Sequence, residues 1–225
     1  MPVDYVPPVT LPPGCAGPIV FSDNFNSATA LTADYNVGGS PAKTAGAGPD
    51  GSQAVVYPDS FASHRIRRDG LSFATREGCV ALDIFQGTQP NPPTSFVDFG
   101  VLLSDMTTST SLVIELYLTT NRRVQFFYGA GGGLSATSAN NVWPFSTWFN
   151  LRINWRISTY TGPTAADVST DGFVHVYVDD VLVLGVDNVK IRRASNAILS
   201  QTVMQQGLFS GQDVTIDNLV FRNAT

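Results

Sequence analysis

The chain has 225 residues, which suffices for one large domain or two small ones, and no internal stretch has the composition of a linker. Only 14% of the residues are charged, and 20 Gly, 14 Pro and 14 Phe favour short strands and turns over helices. A net charge of -5 argues against duplex nucleic acid as a partner, because such binders need many cations. No apolar run reaches the roughly 18 residues that span a bilayer, and the first residues lack the pattern of a secretion signal.

Residues 1–18 are predicted to form an extended, proline-rich N-terminal arm. They hold six of the 14 prolines, namely Pro2, Pro7, Pro8, Pro12, Pro13 and Pro18. Proline fixes φ and lacks an N–H donor, so this segment is not expected to join a regular β-ladder. It either wraps its own domain, stays a disordered tail, or docks on a neighbouring subunit of a larger assembly. Cys15 and Cys79 either form a disulfide that ties the arm to the body or remain two buried thiols.

The body, residues 19–225, is predicted to be one all-β domain. The predicted strands cover residues 19–26, 54–57, 79–85, 96–103, 111–118, 122–128, 148–157, 172–178, 181–184, 203–209 and 213–222. Residues 32–53 are predicted to be loop with at most one short strand, and residues 129–141 to be loop. Short, evenly spaced strands separated by turn residues are typical of sandwiches and closed barrels.

Period-two alternation is the strongest signal in the body, because successive side chains of a strand point to opposite faces. In residues 149–157 the apolar side chains alternate without a break with Asn150, Arg152, Asn154 and Arg156. Residues 173–179 and 112–118 show the same split. Asp179 and Asp180 between two apolar runs predict a type I′ hairpin. One sheet face should therefore meet the core and the other should meet water or a ligand.

The polar and aromatic residues of these strands are predicted to share one face that binds a saccharide, since rings stack on sugars and planar groups bond hydroxyls. The predicted ligand-binding residues are Arg152, Asn154, Arg156, His175, Tyr177, Glu115, Tyr117 and Trp143. The alternative is that a loop or a partner subunit covers this face.

The segments TWFNLRINW and GFVHVYVDDVLVLGV resemble the central hairpin of the concanavalin A-like lectin and glucanase superfamily, which includes laminin-G-like domains. FSDNFN near the start and TIDNLVFRN near the end resemble the paired terminal strands of such proteins. The resemblance covers residues 19–223 and implies a two-sheet antiparallel jelly-roll sandwich. Because this fold carries lectins, hydrolases, lyases and structural modules, it does not by itself assign a function.

Glycoside hydrolysis needs a pair of carboxyl groups, which glucanases of this superfamily carry in an E-x-D-x-E type of strand. Here Glu115 is followed at the corresponding positions by Tyr117 and Thr119. Glu77 is the only other glutamate in the chain. A two-glutamate hydrolase would therefore have to use Glu77 and Glu115.

Jelly-roll polysaccharide lyases carry a Gln-x-His strand with Arg and Tyr partners that neutralise the uronate and remove its proton. The nearest match is residues 173–177, where Phe173 replaces the glutamine and His175 and Tyr177 follow. Arg152 and Arg156 are expected on the same face. The missing glutamine makes the lyase the second choice.

No cofactor is required by any motif, and two histidines and two distant cysteines exclude a zinc cluster of the usual spacing. Calcium is one option, because Asp23 and Asn24 on the first strand and Asp217 on the last offer oxygen ligands if the chain ends pair. The alternative is that these are ordinary turn and edge residues.

The sequence thus predicts a non-catalytic binding or display module with a glycan or polysaccharide as its leading ligand. A virion-surface decoration or adhesion protein, anchored through residues 1–18 and reaching the virion surface or the extracellular space without a signal peptide, fits the arm and the lack of an export signal. A jelly-roll polysaccharide lyase or glycoside hydrolase is the alternative.

Overall fold

The computed structural model describes residues 15–58, 64–87, 97–104, 112–119, 121–128, 134–162, 168–191, 201–206 and 213–224. The first strands are β1 (Ile19–Asp23), β2 (Asn36–Gly38), β3 (Ala42–Thr44), β4 (Ala54–Tyr57) and β5 (His64–Arg68), with the short helix α1 (Leu31–Asp34) between β1 and β2. The middle strands are β6 (Glu77–Gln86), β7 (Val97–Ser104), β8 (Leu112–Thr119), β9 (Val124–Tyr128) and β10 (Leu134–Thr137). The last are β11 (Phe149–Arg156), β12 (Gly172–Val178), β13 (Val181–Val189), β14 (Gln201–Gln206) and β15 (Val214–Asn223).

These strands form two antiparallel sheets that enclose one core. Sheet A has the strand order β13-β12-β11-β6-β15-β4-β3, and β1 also pairs with β15. Sheet B has the order β10-β9-β8-β7-β14-β5-β2. The predicted two-sheet sandwich is confirmed. No helix in the described part of the chain is long and apolar enough to cross a bilayer.

The core lies between the inner faces of the sheets and follows the predicted alternation. On β12, every second residue is buried, with the valines inside and the polar and aromatic residues outside. Ile153 and Trp155 of sheet A and Phe99 and Leu116 of sheet B are at most 1% exposed. Apolar burial of this kind is the main favourable term for folding, which is why the alternation decides which face each strand turns inward.

Two local predictions about turns and chain ends are confirmed. Asp179 and Asp180 have φ values of 47° and 64°, as both central residues of a type I′ turn require. Ile19 of β1 pairs with Arg222 of β15, and Asp23 pairs with Leu219, so the first and last strands lie side by side.

The structure corrects several predicted boundaries. Residues 32–53 contain α1, β2 and β3 rather than one short strand at most, and residues 134–137 are β10, paired with β9, rather than loop. Strand β5 was not predicted at all. Short polar strands of this kind are held by ladder hydrogen bonds to their neighbours, so their own composition gives little signal. Residues 1–14 of the predicted arm and residues 207–209 of a predicted strand lie outside the described residues.

Cys15 and Cys79 are joined as a disulfide, with a Cα–Cα distance of 5.6 Å. Of the two alternatives left by the sequence, the structure selects the covalent tie. Cys79 lies on β6, so the tie fixes residue 15 to sheet A.

Candidate functional site

Five of the predicted ligand-binding residues lie together on the outer face of sheet A, the side turned away from the core. Arg152 pairs across strands with Tyr177, Asn154 with His175, and Arg156 with Phe173. We use the name outer face of sheet A for these six residues and the outward positions of β6, β13 and β15 beside them.

Arg152 and Arg156 of this face each have an acidic partner and an aromatic ring. Arg152 Nη1 lies 2.6 Å from Asp180 Oδ1, and its guanidinium is 4.1 Å from the centre of the Tyr177 ring. Arg156 Nε donates to Glu77 Oε1 at 2.6 Å, and its guanidinium lies 5.2 Å from the Phe173 ring centre. Each charge is therefore engaged within the protein.

His175 is engaged in the same way. Its Nε2 lies 2.9 Å from Asp187 Oδ1, and its ring stacks on Phe173 at a centroid distance of 4.8 Å. The imidazole is the only one on this face, because His64 is buried on β5, where its Nδ1 accepts a hydrogen bond from the Ser40 N–H.

The centre of the outer face of sheet A is covered. Arg152 and Asn154 are 3% and 5% exposed, although both point away from the core. The Sγ of Cys15 lies 3.1 Å from Asn154 Oδ1, and Cys15 itself is 1% exposed. The segment that begins at Cys15 therefore crosses this face and contributes to its burial.

Glu115 and Tyr117 do not belong to this face. They lie on β8 of sheet B, so the predicted single ligand face is wrong in this respect. The alternation in residues 112–118 identified their outward direction but carried no information about the sheet that β8 would join. The separation also places Glu115 and Glu77 on different sheets, so the two glutamates do not form a hydrolase pair.

The outer face of sheet B forms a second candidate site. Its outward side chains include Arg65 and Arg67 of β5, Leu102 of β7, Val203 of β14, Glu115 and Tyr117 of β8, and Gln125 and Phe127 of β9. In one cross-strand row, Tyr117 pairs with Gly100, Gly100 with Gln205, and Gln205 with Arg65. Three strand spacings separate Tyr117 from Arg65, or about 14 Å between backbones. Arginine and tyrosine thus flank the middle of the sheet.

The Tyr117 side chain is held flat on the sheet by its neighbours. Its ring lies over Gly100, where an added Cβ would come within 2.8 Å of Tyr117 Cδ1. Its hydroxyl donates to Glu115 Oε2 at 3.1 Å, and its ring meets Phe127 edge-on at 5.8 Å. Burial raises the pKa of Tyr117, and the negative charge of Glu115 raises that pKa further. The phenol is therefore a hydrogen-bonding group and a poor general base.

Sequence reasoning missed Arg65 and Arg67. Arg65 is exposed, and no hydrogen-bond or ion-pair partner for it exists among the described residues. Arg67 Nη2 lies 3.1 Å from Asp69 Oδ2, while its Nε is buried and has no hydrogen-bond partner among the residues that the structure describes. The sequence signal that could have identified this strand was its period-two pattern. His64 and Ile66, which are buried, alternate with Arg65 and Arg67. Because four of the five residues in the strand are charged or titratable, it did not resemble a strand.

Trp143 is a core residue, which corrects its prediction as a ligand contact. It is 1% exposed and stacks on Phe149 at 5.8 Å. Its other neighbour is Phe145, whose ring it meets edge-on at 5.1 Å. Trp143 thus supports the wall of a shallow cavity of about 430 Å³ rather than lining it. The cavity lies where β8 turns into β9, and its lining residues are Asn121, Arg122, Asn140, Asn141 and Phe145.

The three predicted calcium ligands have other partners. Asp23 accepts hydrogen bonds from the Phe25 N–H at 2.7 Å and the Tyr35 hydroxyl at 3.0 Å. Asn24 Oδ1 accepts from the Asn26 N–H. Within the described ranges, no group of three or more His, Cys, Asp or Glu side chains is placed to hold a metal ion.

Asp217, the third of these residues, lies in an acidic corner of sheet A. It accepts hydrogen bonds from the Ser52 hydroxyl at 3.0 Å and the Asn218 N–H at 2.8 Å. Burial raises the pKa of Asp217 to about 6, against the lowering effect of these hydrogen bonds, and the nearby charges of Asp83 and Asp50 add to the rise. This carboxyl is thus partly protonated near pH 6.

No protein-family model and no curated protein sequence matches the chain. Solved structures do. The endo-β-1,4-glucuronan lyase from the fungus Trichoderma reesei superposes with a TM-score of 0.65 at 11% identity, covering 92% of this chain and 96% of the lyase. The alginate lyase vAL-1 from Chlorella virus gives 0.64 at 14% identity, covering 92% and 100%. The carbohydrate recognition domain of Emp46p gives 0.62 at 10% identity, covering 93% and 99%. The chain therefore has the concanavalin A-like jelly-roll fold, which it shares with these two lyases and this carbohydrate recognition domain.

Proposed function

We propose that the protein binds an acidic oligosaccharide or polysaccharide, without cleaving it, on the outer face of sheet B. The observation that carries this proposal is the exposed Arg65, aligned across β14 and β7 with Tyr117. On sheet A, Arg152 and Asn154 are covered and Arg156 and His175 are paired with acids, whereas Arg65 on sheet B is exposed.

The charges of this face favour an acidic ligand. A guanidinium presents parallel N–H donors that match a carboxylate, and Arg65 has no acid beside it among the described residues to neutralise it. Glu115 accepts a hydrogen bond from the Tyr117 hydroxyl but keeps its negative charge, which repels a carboxylate at the β8 end of the row. The ligand's carboxylate would therefore lie at the β5 end of the row.

The aromatic part of the face favours a sugar over a simple anion. Tyr117 and Phe127 are half-buried and in edge-on contact, which leaves ring surface for the apolar side of a pyranose. The distance of about 14 Å between the strands of Tyr117 and Arg65 calls for several linked units rather than one monosaccharide. A chain of uronic acids has both required features, and alginate and glucuronan, named in two of the similar structures, are such polymers.

The test is calorimetric titration of the full-length protein with alginate oligosaccharides, polyglucuronate and a neutral glucan. We compare the parent with Arg65→Ala and Phe127→Ala on sheet B. Arg156→Ala is the matched control, because it removes an arginine beside an aromatic ring on the opposite face. Loss of charge-assisted hydrogen bonds should weaken acidic-glycan binding by about tenfold or more in Arg65→Ala and leave it unchanged in the control.

A loss of acidic-glycan binding in Arg156→Ala but not in Arg65→Ala would assign the site to sheet A. Equal binding of acidic and neutral glycans by the parent would overturn the role of Arg65. Each titration is paired with an ultraviolet assay for unsaturated sugar ends. Release of unsaturated product by the parent would show that the protein is a lyase.

Lyase activity is the alternative because one observation favours it. The outer face of sheet A brings together the residue types of such a site, with Arg152 beside Tyr177 and Asn154 beside His175. If product forms, His175→Ala and Tyr177→Phe should abolish its formation. In a lyase, a histidine or tyrosine side chain removes the proton beside the uronate carboxylate. The other assignments, a virion-surface or adhesion role and a location outside the cell, stay predictions from the sequence.

A further inference from the structure

A second cluster of arginine and asparagine side chains lies outside the proposed site and takes no part in it. It surrounds the cavity of about 430 Å³ where β8 turns into β9, here called the turn cavity. The lining side chains are Asn121, Arg122, Asn140, Asn141 and Phe145. Four of them end in an amide or a guanidinium, and the fifth is an aromatic ring. A concave site with this lining suits a ligand with one polar and one apolar side.

Backbone hydrogen bonds hold the turn cavity in shape. The Val142 N–H donates to the Arg122 carbonyl at 2.9 Å, and the Asn141 N–H donates to the Asn121 carbonyl at 3.3 Å. The Arg122 N–H donates in turn to the Thr119 carbonyl at 2.8 Å. The segment that follows β10 is thereby tied to the turn, so little backbone ordering is needed when a ligand binds.

Arg122, Asn140 and Asn141 leave chiefly hydrogen-bond donors free for a ligand. Arg122 Nη2 donates to Asn141 Oδ1, and Arg123 Nε donates to Asn140 Oδ1. Both amide oxygens are therefore engaged, whereas neither amide nitrogen has an acceptor among the residues that the structure describes. An ionised carboxylate only accepts hydrogen bonds, so it matches these donors.

The charge of the turn cavity is positive. Arg122 and Arg123 are partnered by neutral asparagines, and no ion pair to either guanidinium exists within the described ranges. Arg152 and Arg156 differ in this respect, because each has an acidic partner. Arg122 also lies 5.5 Å from the centre of the half-buried Phe145 ring. The turn cavity thus combines an uncompensated cation with an aromatic ring, and an acidic sugar has a group for each.

We propose that the turn cavity is a further subsite for the acidic glycan, where Arg122 and its two neighbouring asparagines bind the carboxylate of one sugar unit against the Phe145 ring. The ligand class is that of the proposed function, on which this inference rests. Tyr117 of the sheet B site pairs with Gln125. Gln125 follows Arg122 by three residues, or about 10 Å of extended chain. One oligosaccharide of several units can therefore occupy both places.

The experiment is a titration of the full-length, isotope-labelled protein with polyglucuronate oligosaccharides, followed by NMR of the asparagine side-chain amides and the arginine Nε–H groups. At saturation the Asn140 and Asn141 amides should shift in the parent. They should also shift in Arg65→Ala, because Arg65 lies on β5 and is not part of the turn cavity. A neutral glucan and inorganic sulfate are titrated in parallel.

The test variant is Arg122→Asn. It removes the guanidinium and keeps the turn, because Arg122 has a φ of 54° and asparagine tolerates that conformation. The loss of charge-assisted hydrogen bonds should raise the dissociation constant read from these amides about tenfold or more. Arg156→Ala is the matched control, because it removes a guanidinium 5.2 Å from a ring on sheet A, and it should leave that constant unchanged. Thermal melts confirm that both variants are folded.

The proposal is overturned if the Asn140 and Asn141 amides stay in place in a titration that shifts the Arg65 Nε–H, or if Arg122→Asn leaves the dissociation constant unchanged. Equal shifts with the neutral glucan would exclude carboxylate recognition, and equal shifts with sulfate would exclude recognition of a sugar. The proposed function fails separately, when the Arg65 Nε–H stays in place while the turn-cavity amides shift. That outcome would reject the site on sheet B and support the turn cavity.

Discussion

The outer faces of the two sheets carry similar polar and aromatic residues. They differ in whether the charged side chains already have hydrogen-bond or ion-pair partners within the protein. On sheet A, Arg152 and Arg156 each have an acidic partner and an aromatic ring, and the centre of the face is buried. On sheet B, Arg65 is exposed and has no such partner in the described part of the chain. Polar and aromatic residues on an outward strand face are therefore insufficient to identify a binding surface. What distinguishes the two faces is whether the protein itself already uses the hydrogen-bonding groups.

The largest expected difference between the faces comes from the covalent tie, which acts on sheet A alone. The disulfide joins residues 64 positions apart, and removing a cross-link of this span should lower the free energy of unfolding by about 2–4 kcal/mol. Urea denaturation of Cys15→Ala/Cys79→Ala against the parent measures this change. Acidic-glycan affinity of the same variant is the control and should not change. A parallel loss of glycan binding would show that the two faces are coupled.

The second difference is expected between the two arginines. Arg152→Ala removes a buried side chain that packs on Tyr177, and should destabilise the fold by about 1–3 kcal/mol. The Arg65 side chain is exposed, so Arg65→Ala should change the free energy of unfolding by less than about 0.5 kcal/mol. Chemical denaturation of both variants under one set of conditions checks the order. Equal effects would mean that Arg152 contributes no more than a surface residue.

The smallest expected effect concerns pH and the acidic corner of sheet A. The pKa of Asp217 is raised to about 6 in the folded protein, against about 3.9 in an unfolded chain. The folded state therefore binds this proton more tightly, and its contribution to stability is present below about pH 4 and is lost as pH rises through about 6. Asp217→Asn should be more stable than the parent by about 1–2 kcal/mol above pH 6.5 and nearly equal to it at pH 4.

Thermal melts of Asp217→Asn and the parent across this pH range provide the measurement. Asp50→Asn is the matched control, because it removes a neighbouring acid that lies in an exposed turn. Its effect should be smaller, since it relieves only part of the repulsion. A stability difference at Asp217 that is independent of pH would contradict the raised pKa.

Much of the fold was predictable because its determinants are local. The alternation of Ile153 and Trp155 with Asn154 and Arg156 specified the inward face of β11 before any partner strand was known. The turn at Asp179 and Asp180 was predictable because the bend involves only its own residues. The candidate site was much less predictable. Arg65 lies in a short charged strand that is recognisable only by its pairing with β14.

The sequence by itself determined that this protein is all-β and which side chains of its long strands point outward, whereas the sandwich and the pairing of the first and last strands were implied by the resemblance to the concanavalin A-like superfamily. Only the tertiary structure decided that β8 and β11 lie in different sheets, which separates Glu115 and Tyr117 from Arg152 and Tyr177. The physical reason is that alternation depends on a strand's own residues and the water around them. Strand pairing depends instead on contacts between segments far apart in sequence, and strands with the same alternation are interchangeable until those contacts form.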